Sequence, residues 1–204
     1  MLAEQTKFVT ITLIFAWQQN AKKHNCLPPS SFLLPLAWCY AFRMDNIIRK
    51  AAFSRCRSYR YALWREWDTS KPQVLFIGLN PATADAEKDD NTMRRCMVYA
   101  RSWGYGSMVV ANLFAFRTTW PVELKKASDP VGTNNDRWLR KLAKSAEMTV
   151  AVWGNDGSFL NRAEEIGKTL DNLYCFKITA QGQPHHTRGL PNGLQPQPFS
   201  GGKQ

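Results

Sequence analysis

Short apolar runs alternate with amphipathic segments from residue 73 onward. Each apolar run is bounded by proline, glycine or polar residues, which is typical of buried strands. Four strands are predicted, at residues 74–80, 108–113, 148–153 and 173–178. Helices are predicted between them, in segments 90–106 (with a stop at Gly104), 134–146 and 159–170. Alternating strands and helices predict an α/β fold, with three α/β/α layers and a central four-stranded parallel sheet.

The first 43 residues lack this regularity. Two apolar patches, residues 8–17 and 32–42, flank a polar stretch and have neither a clean period nor recognisable caps. Met44 then begins a coherent opening for a compact domain. The expected organisation is an extension at 1–43, poorly ordered or upstream of the biological start, one α/β domain at 44–199 and a tail at 200–204. An amphipathic membrane or partner segment is the alternative for residues 1–43.

Composition narrows the class of protein. The chain has 204 residues, 44% of them apolar and 21% charged, as in a soluble globular protein with a sizeable core. Its formal net charge of +11 favours a polyanionic partner, either DNA or a nucleotide. No apolar run reaches the roughly 18–20 residues that span a bilayer, so no membrane partner is expected.

The cysteines argue against a metal or disulfide framework. The five cysteines are scattered and none has C-x-x-C spacing, so no metal and no cofactor is assigned from them. The prediction is reduced thiols in a cytoplasmic protein. The apolar segment 8–17 lacks a preceding basic run and a cleavage site, so export is not expected.

Polar residues follow the ends of the predicted strands. The first of these ends is L-F-I-G-L-N-P-A-T-A-D-A-E-K-D-D, residues 75–90. Ligands of open α/β sheets bind at the carboxyl ends of the strands, so a parallel sheet would gather these side chains on one rim. That rim is predicted to hold Asn80, Asn112, Asn155 and His186.

Six separated motifs occur in order and carry a resemblance. They are F-S-R-C-R-S-Y-R-Y-A-L-W-R-E-W, F-I-G-L-N-P-A-T-A-D-A-E-K-D-D-N-T-M-R-R-C, W-G-Y-G, V-V-A-N-L-F-A-F-R-T-T, D-P-V-G-T-N-N-D and W-G-N-D-G. Over about residues 50–199 the chain resembles a bacterial family known as domain of unknown function 1643. That resemblance implies no established activity.

The order of motifs also resembles, more distantly, the uracil-DNA glycosylase superfamily. Gly78, Asn80 and Pro81 match its G-x-N-P loop, and Asn112 matches its base-reading asparagine. Trp153-Gly154-Asn155 is similar to the turn after its third strand, and His186 stands where its loop histidine would be. The resemblance implies an N-glycosidic hydrolase that reads a flipped base on its edge.

The resemblance also implies roles for single residues. Asn112 would pair with a pyrimidine's carbonyl and N–H, and a histidine would stabilise the leaving base. Asn80 can hold a water molecule but does not titrate. The histidine loop departs from the superfamily because His185-His186-Thr187 lacks its proline, and no residue is evident that would fill the vacated base stack. Arg188 is the one clear phosphate-binding charge of the segment 181–198.

Several residues have a structural alternative that the sequence leaves open. Asn80 suits a turn before proline, and His186 suits a surface loop. The cluster Asp89-Asp90-Asn91-Thr92 either only caps a helix, or Asp85 or Asp89 binds a metal or activates water. Arg117 either grips a phosphate or is solvated. The basic, aromatic stretch 49–61 is either a nucleic-acid face or a solvated helix.

The candidate site residues therefore fall into two groups. Catalytic candidates are Asn80, His186, Asp85 and Asp89, and binding candidates are Gly78, Pro81, Asn112, Arg117 and Asn155. The expected function is N-glycosidic hydrolysis of a base in nucleic acid. The alternative is a nucleotide or small-molecule binding protein or hydrolase that keeps the fold without acting in DNA repair, and the carboxylates and the altered histidine loop favour that one.

Overall fold

The computed structural model of the chain describes residues 47–200. The described strands are β1 Ile48–Phe53, β2 Arg60–Glu66, β3 Gln73–Gly78, β4 Ser107–Asn112, β5 Met148–Ala151, β6 Leu173–Cys175 and β7 Gln197–Pro198. The described α-helices are α1 Asn91–Ser102, α2 Pro121–Lys126, α3 Asn135–Ser145 and α4 Arg162–Thr169, with a 3-10 segment at Asn155–Asn161. The predicted extension, residues 1–43, and the tail beyond Ser200 lie outside the described residues.

One mixed sheet of seven strands, in the order β1-β2-β4-β3-β5-β6-β7, forms the centre of the described region. The four inner strands β4, β3, β5 and β6 are mutually parallel, and they are the four strands predicted from the apolar runs. Strands β1 and β2 extend the sheet antiparallel at one edge, and β7 extends it antiparallel at the other. The α/β class is confirmed, and the expected four-stranded sheet is corrected to a seven-stranded mixed one.

Two hydrophobic cores, one on each face of the sheet, follow from the period-two alternation of side chains along a strand. On β3, Leu75 and Ile77 pack with residues of α3 and α4, such as Leu139 and Ile166. Val74 and Phe76 point the other way and pack with the buried side chains of α1. Both faces of the inner strands are thus covered, which explains why those strands read as continuous apolar runs.

Two of the predicted helices have different limits in the structure. Helix α1 begins after Asp90, whose Oδ1 accepts the backbone N–H of Met93 at 2.8 Å, and ends shortly before Gly104, whose φ is 88°. The predicted helix 159–170 is interrupted, because Leu160 and Asn161 adopt left-handed conformations with φ of 53° and 56°. Helix α4 therefore starts only at Arg162.

The basic stretch 49–61 belongs to β1 and β2 and the turn between them, so the helical alternative for it is wrong. Arg65 on β2 is fully buried and forms an ion pair with Asp89 at 2.7 Å. A buried cation breaks the apolar pattern that marks a strand, which is why periodicity did not find β2. In residues 47–200 no helix combines the length and apolarity that crossing a membrane requires.

Candidate functional site

A cleft of about 390 Å³ opens at the carboxyl ends of β3 and β5. The chain leaves β3 for β4 on one side and later returns to β5 on the other, so the strand order reverses between β3 and β5. Such a reversal leaves a crevice in which open α/β sheets bind their ligands. We call it the switch-point cleft. Its polar lining includes Arg60, Asn80, Asp90, Thr92, Asn112, Thr119, Asn155, Asp156, His186 and Arg188.

The loop after β3 supplies the floor of the cleft. A side chain at Gly78 would place its Cβ 2.9 Å from Nδ2 of Asn112, so only glycine leaves room for that amide. Asn80 also lines the cleft, and its Nδ2 donates to the carbonyl of Thr118 at 2.7 Å. This bond ties the β3 loop to the segment before α2 and leaves the amide oxygen of Asn80 as its available acceptor.

Asn112 ends β4 and is buried at the wall of the cleft. Its Oδ1 accepts a hydrogen bond from Nη2 of Arg60 at 3.2 Å. Because a guanidinium has donors and no acceptor, this contact fixes the amide with its oxygen toward Arg60. The Nδ2 donors are thereby held on the Gly78 side of the cleft.

Arg60 is itself 3% exposed and lines the cleft. Its Nη1 donates to the carbonyl of Ala84 at 2.7 Å, and in the described region no carboxylate lies within ion-pair distance of it. Burial lowers its pKa to about 10, and the charge of Asp90 acts against that shift. A guanidinium with this pKa stays charged at neutral pH, so the cleft wall carries a buried positive charge.

The turn after β5 forms the opposite wall. Gly154 has φ of 72°, which glycine adopts readily, and its N–H donates to the carbonyl of Pro184 at 3.0 Å. The indole N–H of Trp153 donates to Oε1 of Gln183 at 3.0 Å. Asn155 is at the exposed rim, where its Oδ1 accepts the hydroxyl hydrogen of Thr179 at 2.7 Å. These bonds attach the β5 turn to the loop that carries His186.

His186 is held in the cleft from two sides. The carbonyl of the next residue, Thr187, accepts a bond from Nε of Arg95 on α1 at 2.8 Å. The histidine Nδ1 accepts the backbone N–H of Arg188 at 3.0 Å, so the neutral ring carries its proton on Nε2. Burial and the neighbouring charge of Arg188 lower the pKa of His186, which favours that neutral form.

The three aspartates of the β3 loop have three different positions. Oδ1 of Asp85 accepts the backbone N–H groups of Glu87 and Lys88, which lowers the pKa of Asp85 and closes a turn. Asp89 pairs with Arg49 at 2.6 Å and with Arg65 at 2.7 Å. The side chains of Asp85 and Asp89 do not line the switch-point cleft. Asp90 does, while it also caps α1.

Two binding candidates lie beside the cleft rather than in it. Pro81 is buried, and its carbonyl accepts the N–H of Thr118 at 3.0 Å. Arg117 lines a neighbouring cleft of about 480 Å³. Its Nη1 donates to the carbonyl of Arg57 at 3.0 Å. The structure thus brings Gly78, Asn80, Asn112, Asn155 and His186 together and places Asp85, Asp89, Pro81 and Arg117 outside that group.

Sequence reasoning did not assign Arg60 or Asp90 to the site. Asp90 had a signal, because it stands directly before a helix that follows the first strand loop. Arg60 had none beyond its place in a basic stretch, since its partner Asn112 is 52 positions away. Across residues 47–200 no three His, Cys, Asp or Glu side chains cluster as a metal site would require.

A family model described as protein of unknown function (DUF1643) matches residues 60–187. The chain belongs to the DUF1643 family. Searches of curated proteins and of solved structures gave no match. The DUF1643 region begins at Arg60 and ends at Thr187, so it contains every polar residue of the switch-point cleft except Arg188.

Proposed function

We propose that this protein binds a keto-bearing nucleobase in the switch-point cleft and hydrolyses its N-glycosidic bond in nucleic acid or a nucleotide. The observation that carries the proposal is that Asn112, His186 and Asp90 line one cleft at the switch point of the sheet. The amide of Asn112 would recognise the base, and the neutral imidazole of His186 would donate a hydrogen bond to the leaving group. The carboxylate of Asp90 would activate the water. The cleft volume of about 390 Å³ is within the usual range for small ligands.

Base recognition follows from the fixed orientation of Asn112. Its oxygen is already bonded to Arg60, so the amide offers N–H donors to a ligand. A carbonyl oxygen on the base would accept from Nδ2, whereas an exocyclic amino group would meet donor against donor. A buried polar group left unpaired by the wrong base costs about 1–3 kcal/mol, which corresponds to a roughly 5- to 150-fold preference for keto bases.

Departure of the base leaves negative charge on its ring. His186 would donate from Nε2–H to a base oxygen and so stabilise that charge as it develops. A neutral imidazole is suited to this role because it can donate a hydrogen bond to the base without first transferring a proton to the base in the ground state. The buried guanidinium of Arg60, in the cleft wall that also holds Asn112, adds a positive field in a region of low dielectric.

The attacking water would be oriented by Asp90. Its Oδ1 accepts from Met93, and no donor from residues 47–200 occupies its other oxygen. Asp90 is also within electrostatic range of both Arg60 and His186. The oxygen of Asn80 provides a second acceptor for the same water. In the proposed reaction, the water oxygen bonds to the sugar carbon and Asp90 accepts a proton from the water. The N-glycosidic bond breaks, and its electron pair leaves with the base.

The resemblance to the uracil-DNA glycosylase superfamily supports the same reaction. The matching residues Gly78, Asn80, Asn112 and His186 all belong to the switch-point cleft. The three-layer, glycosylase-like form of the α/β fold is part of this proposal. Its support is the run of four parallel inner strands with helix-covered faces.

A second candidate function is nucleotide binding without bond cleavage. The position of Asn80 favours this function. Its amide nitrogen is bonded to the carbonyl of Thr118, and its side chain carries no charge that could activate water. In that case Asp90 would act only as the cap of α1.

The test is release of free base from single-stranded oligonucleotides of one sequence, each with a single uracil, thymine, hypoxanthine, cytosine or adenine. Chromatography identifies the base, and alkaline cleavage of the strand identifies the abasic site. We expect release of keto bases, with loss of release in His186→Ala by about 10²–10³-fold. Binding of keto bases with no release of any base would reject hydrolysis and favour the second candidate.

A further inference from the structure

The neighbouring cleft of about 480 Å³ has the chemistry of an anion site. We call it the arginine cleft. It is lined by Arg57, Ser58, Thr83, Phe116, Arg117 and Thr118, together with Ala82 and Thr119. Ala82 and Thr119 also line the switch-point cleft, so the two clefts share a wall. A ligand group in one cleft is therefore adjacent to a group in the other.

The two arginines of this cleft both contact the ring of Phe53. The guanidinium carbons of Arg57 and Arg117 lie 4.7 Å and 4.9 Å from the centre of the Phe53 ring. Nη1 of Arg117 donates to the carbonyl of Arg57 at 3.0 Å. Contact with the Phe53 ring restricts both side chains, and the bond to the Arg57 carbonyl further restricts that of Arg117. Less entropy is therefore lost when they bind an oxyanion.

Carboxylates do not compete for these cations within the cleft. In residues 47–200 no carboxylate oxygen lies within ion-pair distance of Arg57 or Arg117, although other arginines there are paired. Asp85 acts on Arg117 at longer range, but it does not line the cleft and its Oδ1 is bonded to two backbone N–H groups. Glu123 accepts the hydroxyl hydrogen of Thr118 and does not line the cleft either.

We propose that the arginine cleft binds the phosphate group of the nucleotide unit whose base occupies the switch-point cleft. Two guanidinium groups and the hydroxyls of Ser58 and Thr119 line the same cleft, and such donors match the oxygens of a phosphate. This inference deepens the proposed function and rests on it. The phosphate belongs either to a mononucleotide or to a single strand of nucleic acid, and the chemistry of recognition is the same for both.

Trp120 is next in the chain to residues that line the clefts, and it extends the inference to a single strand of nucleic acid. It is 65% exposed and stands between Thr119, which lines both clefts, and Pro121, which lines the switch-point cleft. Exposed aromatic rings beside a basic groove stack the bases of single strands. For a single strand, Trp120 would carry the base next to the one in the cleft.

The experiment compares Arg57→Gln and Arg117→Gln with a control of equal charge change, Arg140→Gln, which is exposed on α3 and lines neither cleft. Binding is measured for deoxyuridine, deoxyuridine monophosphate and a single-stranded oligonucleotide of about ten nucleotides that contains one deoxyuridine, at several salt concentrations. Circular dichroism confirms that each variant is folded.

For a mononucleotide phosphate, the wild type and the control should bind the monophosphate about tenfold or more tightly than the nucleoside, and both cleft variants should lose that difference. For a strand phosphate, the slope of log affinity against log salt should fall by about 0.7 in each cleft variant and stay unchanged in the control. Either result supports the subsite. Both cleft variants behaving like Arg140→Gln with every ligand would overturn it. If the cleft variants lose the phosphate-dependent affinity or salt slope but no base is released by the wild type, the hydrolytic function alone would be rejected.

Discussion

Nη2 of Arg60 and Oδ1 of Asn112 are 3.2 Å apart, and this contact joins two strands at the wall of the switch-point cleft. Arg60 begins β2 and Asn112 ends β4, two strands that pair antiparallel. The contact holds the oxygen end of the Asn112 amide toward Arg60, so under the proposed function the base would meet the N–H end. Under the proposed function, Arg60 of β2 and Asn112 of β4 would therefore recognise the base as one unit.

Arg60→Lys should reduce base selectivity more than stability. Lysine keeps the charge, but its single ammonium cannot reproduce the two contacts to Ala84 and Asn112 in one plane. Asn112 would then be free to turn its amide, and the preference for keto over amino bases should fall by about tenfold. The measurement is the ratio of affinities for uracil- and cytosine-containing strands. An unchanged ratio in a folded Arg60→Lys protein would show that Arg60 does not orient the amide.

Asp89→Ala should destabilise the fold rather than impair the site. The mutation leaves fully buried Arg65 without its carboxylate, and an unpaired buried charge costs about 3–5 kcal/mol. Urea unfolding measures the loss. Glu164→Ala is the control, because it breaks the exposed pair with Lys168 and should leave the midpoint unchanged. Equal midpoints for the two variants would contradict a structural role for Asp89.

His186 should titrate below the ordinary histidine pKa of about 6.5, because burial and Arg188 oppose its charging. The unfolded chain then binds more protons than the native one between the two pKa values. This contribution to stability is complete above about pH 6.5 and is lost as pH falls through the native pKa. NMR of the ring nitrogens, assigned with His186→Asn, measures the pKa and the tautomer. A pKa above 6.5, or a proton on Nδ1, would contradict the donor role.

Asp90→Asn separates capping from catalysis. Asparagine caps a helix about as well as aspartate, so the melting temperature should change little. Removal of the charge should slow base release by about 10²–10⁴-fold if the carboxylate activates water. Single-turnover kinetics and thermal unfolding are measured on the same preparation. If Asp90→Asn releases base at the wild-type rate, Asp90 acts only as the cap of α1.

The inner strands of the sheet were predictable because both of their faces are buried. Runs such as Val74–Ile77 carry that burial in their composition and therefore appear in the sequence. Strand β2 was not predictable, since its buried Arg65 is satisfied by Asp89 from a distant loop. Local pattern cannot report a charge that only tertiary contacts neutralise.

The candidate site was predictable to the extent that it lies on strand ends. Asn80 and Asn112 follow apolar runs, so topology alone predicted that they would share a rim. Arg60 could not be found that way, because its role depends on a contact across the sheet. The aspartate cluster was ambiguous for a related reason: adjacent carboxylates have equal sequence signals, and only packing separates the paired Asp89 from Asp90 in the cleft.

The most direct test of the central claim, that Asn112 presents N–H donors to a keto base, is base release and binding by Asn112→Asp. Aspartate has nearly the same shape and can still accept from Arg60, so the fold should be kept. The carboxylate replaces a donor by an acceptor on the cleft side. We predict that the wild type favours the uracil strand over the cytosine strand by roughly 5- to 150-fold, and that Asn112→Asp reverses this order. A folded Asn112→Asp protein that keeps the wild-type preference, or a wild type with no preference, would contradict the account.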